Sequence, residues 1–236
     1  MKGVSIVGFK QSGKTTALGM LADVLESRGL RLGIAKFTHH KLDMPGTDTA
    51  WLMKPERTVV GLGAEEAALF WSHKRHLPDL LPLMPADMLL IEGGKRLGWL
   101  PRILCLKEAG DASALMPELA LATYGEISLP SLPHFTPESL DSLADLITKR
   151  AFVLPGLDCG ECGFTGCAGL AARIVAGNAG VKDCKASASP LEITVNGQPI
   201  ALNPFTTSII LGSVRGMLAT LKGYAPGNEV EMKFKG

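Results

Sequence analysis

Short, nearly continuous apolar segments alternate with longer amphipathic segments through the first 150 residues. Residues 4–7 predict a buried strand, and residues 16–28, closed by Gly29, predict an amphipathic helix. Further strands are predicted at residues 31–38, 58–62, 87–91, 102–107 and 119–123, with helices at 49–53 behind an Asp48 cap, at 64–76 and at 137–148. Alternating strands and helices predict a doubly wound α/β fold with a mainly parallel sheet, because parallel strands need crossover connections.

The pattern changes after residue 150, where glycines and cysteines become dense and the long apolar strands stop. A helix is predicted at residues 168–176, followed by a linker at 186–190. Asn196-Gly197 predicts a hairpin within residues 191–201, Asn203-Pro204 begins a helix that runs to Leu221, and residues 230–234 predict a last strand. We therefore expect three units, at residues 1–150, 151–189 and 190–236, of which the last has too few elements to fold well alone.

The first predicted strand runs into Gly8-Phe9-Lys10-Gln11-Ser12-Gly13-Lys14-Thr15, a G-x-x-x-x-G-K-T sequence that the predicted helix follows at Thr16. Strand, glycine-rich loop and helix form the phosphate loop of nucleotide-binding proteins, whose backbone amides surround the phosphate chain. Lys14 is expected to reach the terminal phosphates, and the Thr15 hydroxyl to bind Mg2+. The residues predict a nucleotide site formed by residues 8–16, without distinguishing GTP from ATP.

Polar side chains follow two later strands of the predicted sheet. Lys36, His39 and His40 come at the end of the second strand, with Asp48 shortly after, and Glu92 ends the apolar run 88–91. Ligands of parallel sheets collect beyond the carboxyl ends of the strands, so these side chains are expected to share a crevice with the phosphate loop. Glu92 would hold Mg2+ and, with Lys14, form the candidate catalytic pair. An ordinary solvated loop explains the two histidines equally well, and a plain strand end is the alternative for Glu92.

Charge and hydrophobicity exclude two classes of partner. The 24 Lys and Arg nearly balance the 23 Asp and Glu, so the basic surface of a nucleic-acid-binding protein is not expected. The longest apolar runs fall far short of a membrane span, and no signal-peptide pattern is present, so we expect a soluble, cytoplasmic protein without a membrane partner. His73 and His76, at the predicted end of helix 64–76, are expected to be solvated.

Four of the five cysteines form a C-x2-C-x4-C-x16-C pattern of Cys159, Cys162, Cys167 and Cys184, whereas Cys105 lies alone in an apolar strand as a buried core residue. Clustered cysteines in a cytosolic chain indicate metal rather than disulfides. Interspersed glycines let the backbone wrap a compact inorganic core and donate amides to its sulfurs, which favours a 4Fe-4S cluster. Zinc is the alternative, although zinc ribbons prefer two C-x2-C pairs.

The first 107 residues resemble the molybdopterin-guanine dinucleotide biosynthesis protein B family. The resemblance rests on the phosphate loop, Lys36 with Thr38-His39-His40, Pro45-Gly46 with Asp48, Glu92-Gly93 with Lys95, and Pro101-Arg102-Ile103. It implies a homodimeric GTP-binding protein, at most a weak GTPase, that helps to attach GMP to molybdopterin. It also implies that these residues lie near the nucleotide or a bound anion, and that molybdopterin, its guanylyltransferase and a molybdo- or tungstoenzyme client are partners. Lys10 departs from the usual loop and is either an extra phosphate contact or merely exposed.

Residues 153–185 resemble the small 4Fe-4S domain found in one component of Rnf-type electron-transfer complexes and in corrinoid iron–sulfur proteins. The resemblance rests on the L-P-G-x-x-C-G-x-C-G-x-x-G-C opening, the helix that follows and the returning Cys184. It implies electron transfer or redox sensing rather than catalysis on the cluster. Many relatives continue Cys-Pro, whereas Lys185 follows Cys184 here, so the surroundings of the fourth ligand differ.

Two functions are therefore expected, and one is the leading hypothesis. The first is a nucleotide-binding assembly factor for the molybdenum or tungsten pterin cofactor, with its iron–sulfur domain linked to redox state or to a client. The second is a redox-responsive docking module, driven by nucleotide, that serves an iron–sulfur or corrinoid enzyme without pterin chemistry. A metabolite kinase is weaker, because no lid over a substrate phosphate is apparent in the sequence.

Overall fold

A computed structural model describes residues 1–187, 189–195, 197–225, 227 and 229–232. Its helices are α1 (Lys14–Ser27), α2 (Asp48–Leu52), α3 (Leu77–Leu80), α4 (Leu140–Arg150), α5 (Gly166–Val175) and α6 (Pro204–Leu218). Its strands are β1 (Lys2–Gly8), β2 (Leu32–Lys36), β3 (Thr58–Leu62), β4 (Ala67–Trp71), β5 (Met88–Glu92), β6 (Arg102–Cys105), β7 (Ala120–Tyr124), β8 (His134–Phe135), β9 (Ile193–Val195) and β10 (Gln198–Ile200).

Six of these strands form one parallel sheet in the order β2-β5-β1-β6-β7-β8. The predicted α/β fold with a mainly parallel sheet is therefore confirmed. Because β5 lies between β1 and β2, Ile6 and Lys36 both pair with Glu92, so the acid ends the central strand of this half of the sheet. At the other edge of the sheet, where β2 and β5 begin, the Arg31 guanidinium donates two hydrogen bonds to the Asp87 carboxylate, at 2.9 and 3.0 Å. This pair lowers the pKa of Asp87 to about 2.

Alternating residues of β5 divide the core between two faces of the sheet. Met88 and Leu90 pack with α1 and α4 on one face. Leu89 and Ile91 pack on the other face, where Trp99 and Leu170 of α5 join the same buried cluster. The cysteine-bearing segment therefore covers one face of the parallel sheet, and its helix belongs to the buried cluster of Leu89 and Ile91.

The helix predicted at residues 64–76 is wrong, because residues 67–71 form strand β4. This strand pairs antiparallel with β3 across five residue pairs, from Thr58 with Trp71 to Leu62 with Ala67. Strand pairing outweighs helical spacing in so short an apolar segment. His73 and His76 therefore do not end a helix, and His76 instead precedes α3, where its amide donates to Asp79 Oδ2 at 3.3 Å.

Most other predicted elements are found within two or three residues of their expected ends, with three differences. Thr47, and not Asp48, caps α2, since its hydroxyl accepts from the Ala50 amide at 3.2 Å. Ala186, placed in a linker by its sequence, is buried in the core that contains Leu89 and Ile91. The helix that begins behind Asn203 ends at Leu218, earlier than expected.

The C-terminal segment contains the predicted hairpin as the antiparallel pair β9 and β10, with Gly197 at φ 76°. Asn196, the other residue of the predicted turn, lies outside the described residues. The expected last strand at 230–234 lies partly outside them, and residues 230–232 are not in a strand.

Candidate nucleotide site and cysteine pocket

The loop between β1 and α1 has the backbone that a phosphate loop requires. A Cβ at Gly8 would lie 2.2 Å from the Cys105 carbonyl oxygen and 2.3 Å from Ser12 Oγ, so only glycine fits there. Gln11 (φ 61°) and Gly13 (φ 78°) adopt left-handed backbone, which turns the chain directly into α1. The loop therefore offers its backbone amides at the N-terminus of a helix 14 residues long.

Lys14 folds back over this loop. Its ammonium donates to the Phe9 carbonyl at 2.5 Å and lies 3.4 Å from Ser12 Oγ. Burial lowers the pKa of Lys14, and the charges of Lys95 and Lys36 act in the same direction, although Glu92 opposes them. A cation held among other cations is well suited to a polyanion such as a triphosphate.

Glu92 joins the ends of three elements. Thr15 Oγ1 donates to Glu92 Oε1 at 2.8 Å, and Lys36 Nζ lies 2.9 Å from Glu92 Oε2. Burial alone would raise the pKa of Glu92, but the hydrogen bonds from Lys36 and Thr15 and the Lys14 charge hold it below its ordinary value. A hydroxyl and an ionised carboxylate in contact beside a phosphate loop are suitable ligands for Mg2+.

The segment after Glu92 returns to the phosphate loop. The Gly93 amide donates to Ile6 O at 2.9 Å, and Lys95 Nζ lies 3.6 Å from the centroid of the Phe9 ring. Gly93 (φ 86°) and Gly94 (φ 68°) need glycine for this turn, which packs against Phe37. Lys95 is therefore placed beside the loop by a cation–π contact that the sequence did not predict.

The other predicted nucleotide-site residues are less closely connected. Lys10, Gln11, Thr16, His39, His40 and Asp48 are exposed. In the part of the chain that the structure describes, no hydrogen bond or ion pair joins His39, His40 or Asp48 to the phosphate loop. Asp48 instead lines a separate open pocket with Gly46, Thr47, Ala50 and Trp51. The structure thus brings together residues 8–16, Lys36, Glu92 and Lys95.

Arg102 is a residue whose place the sequence did not reveal. The resemblance implies a role near the nucleotide or an anion, but the side chain is completely buried. Its guanidinium donates to the carbonyls of Lys95 (3.1 Å), Leu97 (2.7 Å) and Leu115 (2.6 Å). Burial lowers the pKa of Arg102 to about 10. Arg102 therefore holds the backbone of the segment after Glu92 in place through its buried guanidinium.

The four predicted cluster cysteines line one pocket. Cys159 and Cys162 are half-buried and Cys167 and Cys184 are buried, and none of the four forms a disulfide. No group of three or more His, Cys, Asp or Glu among residues 1–187, 189–195, 197–225, 227 and 229–232 is gathered to hold a single metal ion. Four thiols lining one pocket are the ligand set of an iron–sulfur cluster and also of a structural zinc.

The backbone around this pocket is bent by residues in left-handed conformation. Asp158 (φ 46°), Gly160 (φ 71°), Gly163 (φ 81°) and Gly166 (φ 64°) turn the chain, and Asp158 Oδ1 accepts from the Cys167 amide at 2.7 Å. Burial raises the pKa of Cys167, whereas backbone amides of Asp158 and Gly156 act against it. The pKa of Cys167 is raised on balance, so a metal group bound in the pocket would have to favour the thiolate form of this residue.

Cys105 does not belong to this pocket. It is 1% exposed in β6, and burial raises the pKa of its thiol to about 12. The prediction of a core residue is confirmed.

Among the described residues, no helix is both long enough and apolar enough to cross a membrane.

Comparison with known proteins connects both sites to relatives. The "Putative molybdopterin-guanine dinucleotide biosynthesis adapter protein" of Methanocaldococcus jannaschii is 27% identical to this chain. The match covers 94% of this chain and 93% of that protein. One component of the ion-translocating oxidoreductase complex of Rhodobacter capsulatus is 49% identical over 39 residues, which are 16% of this chain and 21% of that protein.

Solved structures share the fold of the first part of the chain. The crystal structure of Bacillus subtilis MobB, with a TM-score of 0.52 and 24% identity, covers 62% of this chain and 98% of its own. The family model described as "Putative Fe-S cluster" matches residues 154–186. The model of molybdopterin guanine dinucleotide synthesis protein B, MobB, matches residues 4–123, more than half of the 236 residues. This chain therefore belongs to the MobB family, and its matched region is followed by a segment that matches an iron–sulfur family.

Proposed function

We propose that this protein is a GTP-binding adapter in the synthesis or insertion of the molybdopterin guanine dinucleotide cofactor, and that it carries a 4Fe-4S cluster. Family membership and the adapter from M. jannaschii support the pathway. The observation that carries the nucleotide half is the contact of Thr15 with Glu92 at 2.8 Å directly behind the phosphate loop.

The site residues take specific roles in this proposal. The amides and side chains of residues 8–16 hold the phosphates, and Lys14 neutralises their charge. Thr15 and Glu92 hold Mg2+, and Lys36 keeps Glu92 ionised and in place. Such a site polarises water only weakly, since the described residues place no further catalytic base beside Glu92, so we expect at most slow GTP hydrolysis. Lys95, beside Phe9, would contact the nucleotide or molybdopterin. His39, His40 and Asp48 are proposed as contacts of these ligands on the family motifs alone.

Isothermal titration of GTP and ATP into the parent and a Lys14→Ala variant tests the nucleotide site. We expect the variant to lose more than tenfold in affinity for GTP, while Lys149→Ala, an exposed lysine in the last turn of α4, binds as the parent does. Lys10→Ala shows in the same experiment whether Lys10 contacts phosphate. Equal GTP affinity in the parent and Lys14→Ala would exclude the phosphate loop as the binding site.

The cluster half of the proposal rests on the pocket of Cys159, Cys162, Cys167 and Cys184. A cluster bound there would supply one-electron chemistry. Anaerobic purification, iron and sulfide analysis and an electron paramagnetic resonance spectrum of the reduced protein test it. One bound zinc without any cluster signal contradicts the proposal.

We also propose that residues 1–150, 151–189 and 190–236 are separate units in sequence and that the protein is a homodimer. The two-stranded sheet of β3 and β4 exposes Val60 (57%), Leu62 (81%) and Leu69 (42%), and an isolated pair of strands is marginally stable in water. A second copy would cover this apolar face. Sedimentation of the parent and of Leu62→Glu tests this, because a monomeric parent or a dimeric Leu62→Glu variant contradicts the placement.

The alternative function, a nucleotide-driven docking module for an iron–sulfur or corrinoid enzyme, is favoured by the 39-residue match to a component of an oxidoreductase complex. The two functions differ in whether the protein binds molybdopterin and its guanylyltransferase. Binding of both by the cluster-loaded protein supports the adapter. Failure to bind either, together with tight binding to a metalloenzyme, supports the docking module.

A further inference from the structure

Seven residues join the two candidate sites. They begin at Gly93, directly after Glu92, and end at Trp99, and we name residues 93–99 the connector. At its first end the connector is held by the Gly93 amide on Ile6 O (2.9 Å) and by Lys95 on the Phe9 ring (3.6 Å). This end therefore lies against the phosphate loop itself.

The other end of the connector contacts the cysteine segment. A Cβ at Gly98 would lie 2.7 Å from Ala168 Cβ, and Ala168 directly follows Cys167 in the first turn of α5. Trp99 O accepts from the Leu154 amide at 2.8 Å, and the Trp99 ring lies about 3.2 Å from where a Cβ of Gly156 would be. Gly156, in turn, lies between Pro155 and Leu157, which both line the cysteine pocket.

The middle of the connector has little freedom to absorb a displacement. Arg102, 0% exposed, binds the carbonyls of Lys95 and Leu97 and also that of Leu115. Breaking a bond to this buried cation would leave a charged donor without a partner, which is strongly unfavourable. A shift at one end is therefore transmitted along the connector instead of being taken up within it.

From these contacts we infer that the connector couples nucleotide binding to cluster binding, with Arg102 as its positioning residue. The inference rests on the proposed function, since it requires both ligands. A loaded cluster would hold Cys167 and the first turn of α5 against Gly98, and because the middle of the connector cannot absorb a displacement, the end beside the phosphate loop would be held in the position that GTP binds. Positive coupling follows, and by linkage GTP must also favour retention of the cluster by the same factor.

The test compares GTP affinity of the full-length protein in its cluster-loaded form and after anaerobic removal of iron by a chelator. We expect the loaded parent to bind GTP at least about fivefold more tightly, within the usual range of coupling between sites. Gly98→Ala, which forces the connector away from Ala168, should reduce this ratio to below about twofold. The double variant Gly98→Ala/Ala168→Gly removes the clashing methyl group and should restore the ratio.

Gly110→Ala is the matched control, because a Cβ there meets nothing within 4 Å. Hydrogen exchange of the loaded parent gives a readout that needs no variant: GTP should slow exchange at the Leu154 amide and in the first turn of α5. If GTP binds and the cluster is present but both forms have the same affinity, or exchange there is unchanged, the coupling is wrong while the proposed function stands. If neither form binds GTP, the proposed function fails, and the coupling fails with it.

Discussion

The phosphate loop and the cysteine pocket lie at opposite ends of one connector, yet they are built by different means. Around the loop, Thr15 and Lys36 bind Glu92, and Lys14 binds the loop's own carbonyl. Around the pocket, the four thiols face an apolar space and the bends come from left-handed residues such as Asp158. A site whose side chains pair with each other keeps its shape through its own contacts, whereas a thiol site gains its stability from the metal group.

The largest effect is expected when one thiol of the cysteine pocket is replaced, because that site depends on its metal group. Cys167→Ser should abolish iron and sulfide binding, because a hydroxyl is a poor replacement for a buried thiolate ligand. Cys105→Ser, in a core outside the pocket, should keep the iron at a small cost in stability. Iron retained by Cys167→Ser at the parent's level would remove Cys167 from the ligand set.

Replacing one glycine at each site tests how much space each backbone needs. Gly8→Ala places a Cβ against the Cys105 carbonyl and Ser12 Oγ, so it should lower the free energy of unfolding by about 3 kcal/mol. Gly163→Ala meets nothing within 4 Å and suffers only from its φ of 81°, so about 1 kcal/mol is expected. Urea unfolding of both variants measures the difference, and an equal loss would show that the loop is not the more tightly built site.

A smaller effect is expected where the pocket does have a polar contact. Asp158→Ala removes the acceptor of the Cys167 amide and puts alanine at φ 46°, so it should lower the free energy of unfolding by about 1–2 kcal/mol. Asp158→Asn keeps an acceptor and tolerates this backbone, and should cost much less. Urea unfolding measures these free energies, and the rate of iron loss to a chelator should rise for alanine and stay near the parent's for asparagine.

The smallest effect concerns pH. Because the pKa of Glu92 is lowered in the folded protein, its contribution is present above the unfolded value and is lost as pH falls through the folded value. Glu92→Gln should therefore flatten the loss of stability as the pH falls below 4.5, the ordinary pKa of a glutamate, by less than about 1 kcal/mol since Lys36 is half exposed. Glu26→Gln, an exposed residue of α1, should leave the pH profile unchanged. Parallel profiles of the parent and Glu92→Gln would contradict the role of this carboxylate.

Local patterns predicted much of the fold, since strands β1, β5 and β7 are buried on both faces and form nearly continuous apolar runs in the sequence. The helix prediction for residues 64–76 was wrong because the apolar residues there fit both the helical and the strand period. Only pairing with β3 decides that Ala67–Trp71 is a strand. The contact of Thr15 with Glu92 was predictable, because adjacent parallel strands end at the same edge. The hydrogen bonds from Arg102 to the connector carbonyls were not predictable, since a buried arginine that binds carbonyls has no sequence signature.

By itself, the sequence predicted the two chemistries that we propose for this protein. A phosphate loop and a set of four cysteines are local motifs, in which spacing along the chain dictates how the backbone can fold around a ligand. Only the tertiary structure decided that they belong together. It packs α5 on the second face of the parallel sheet and brings Gly98 against Ala168, because burial of Leu89 and Ile91 needs a cover that sequence-distant residues supply.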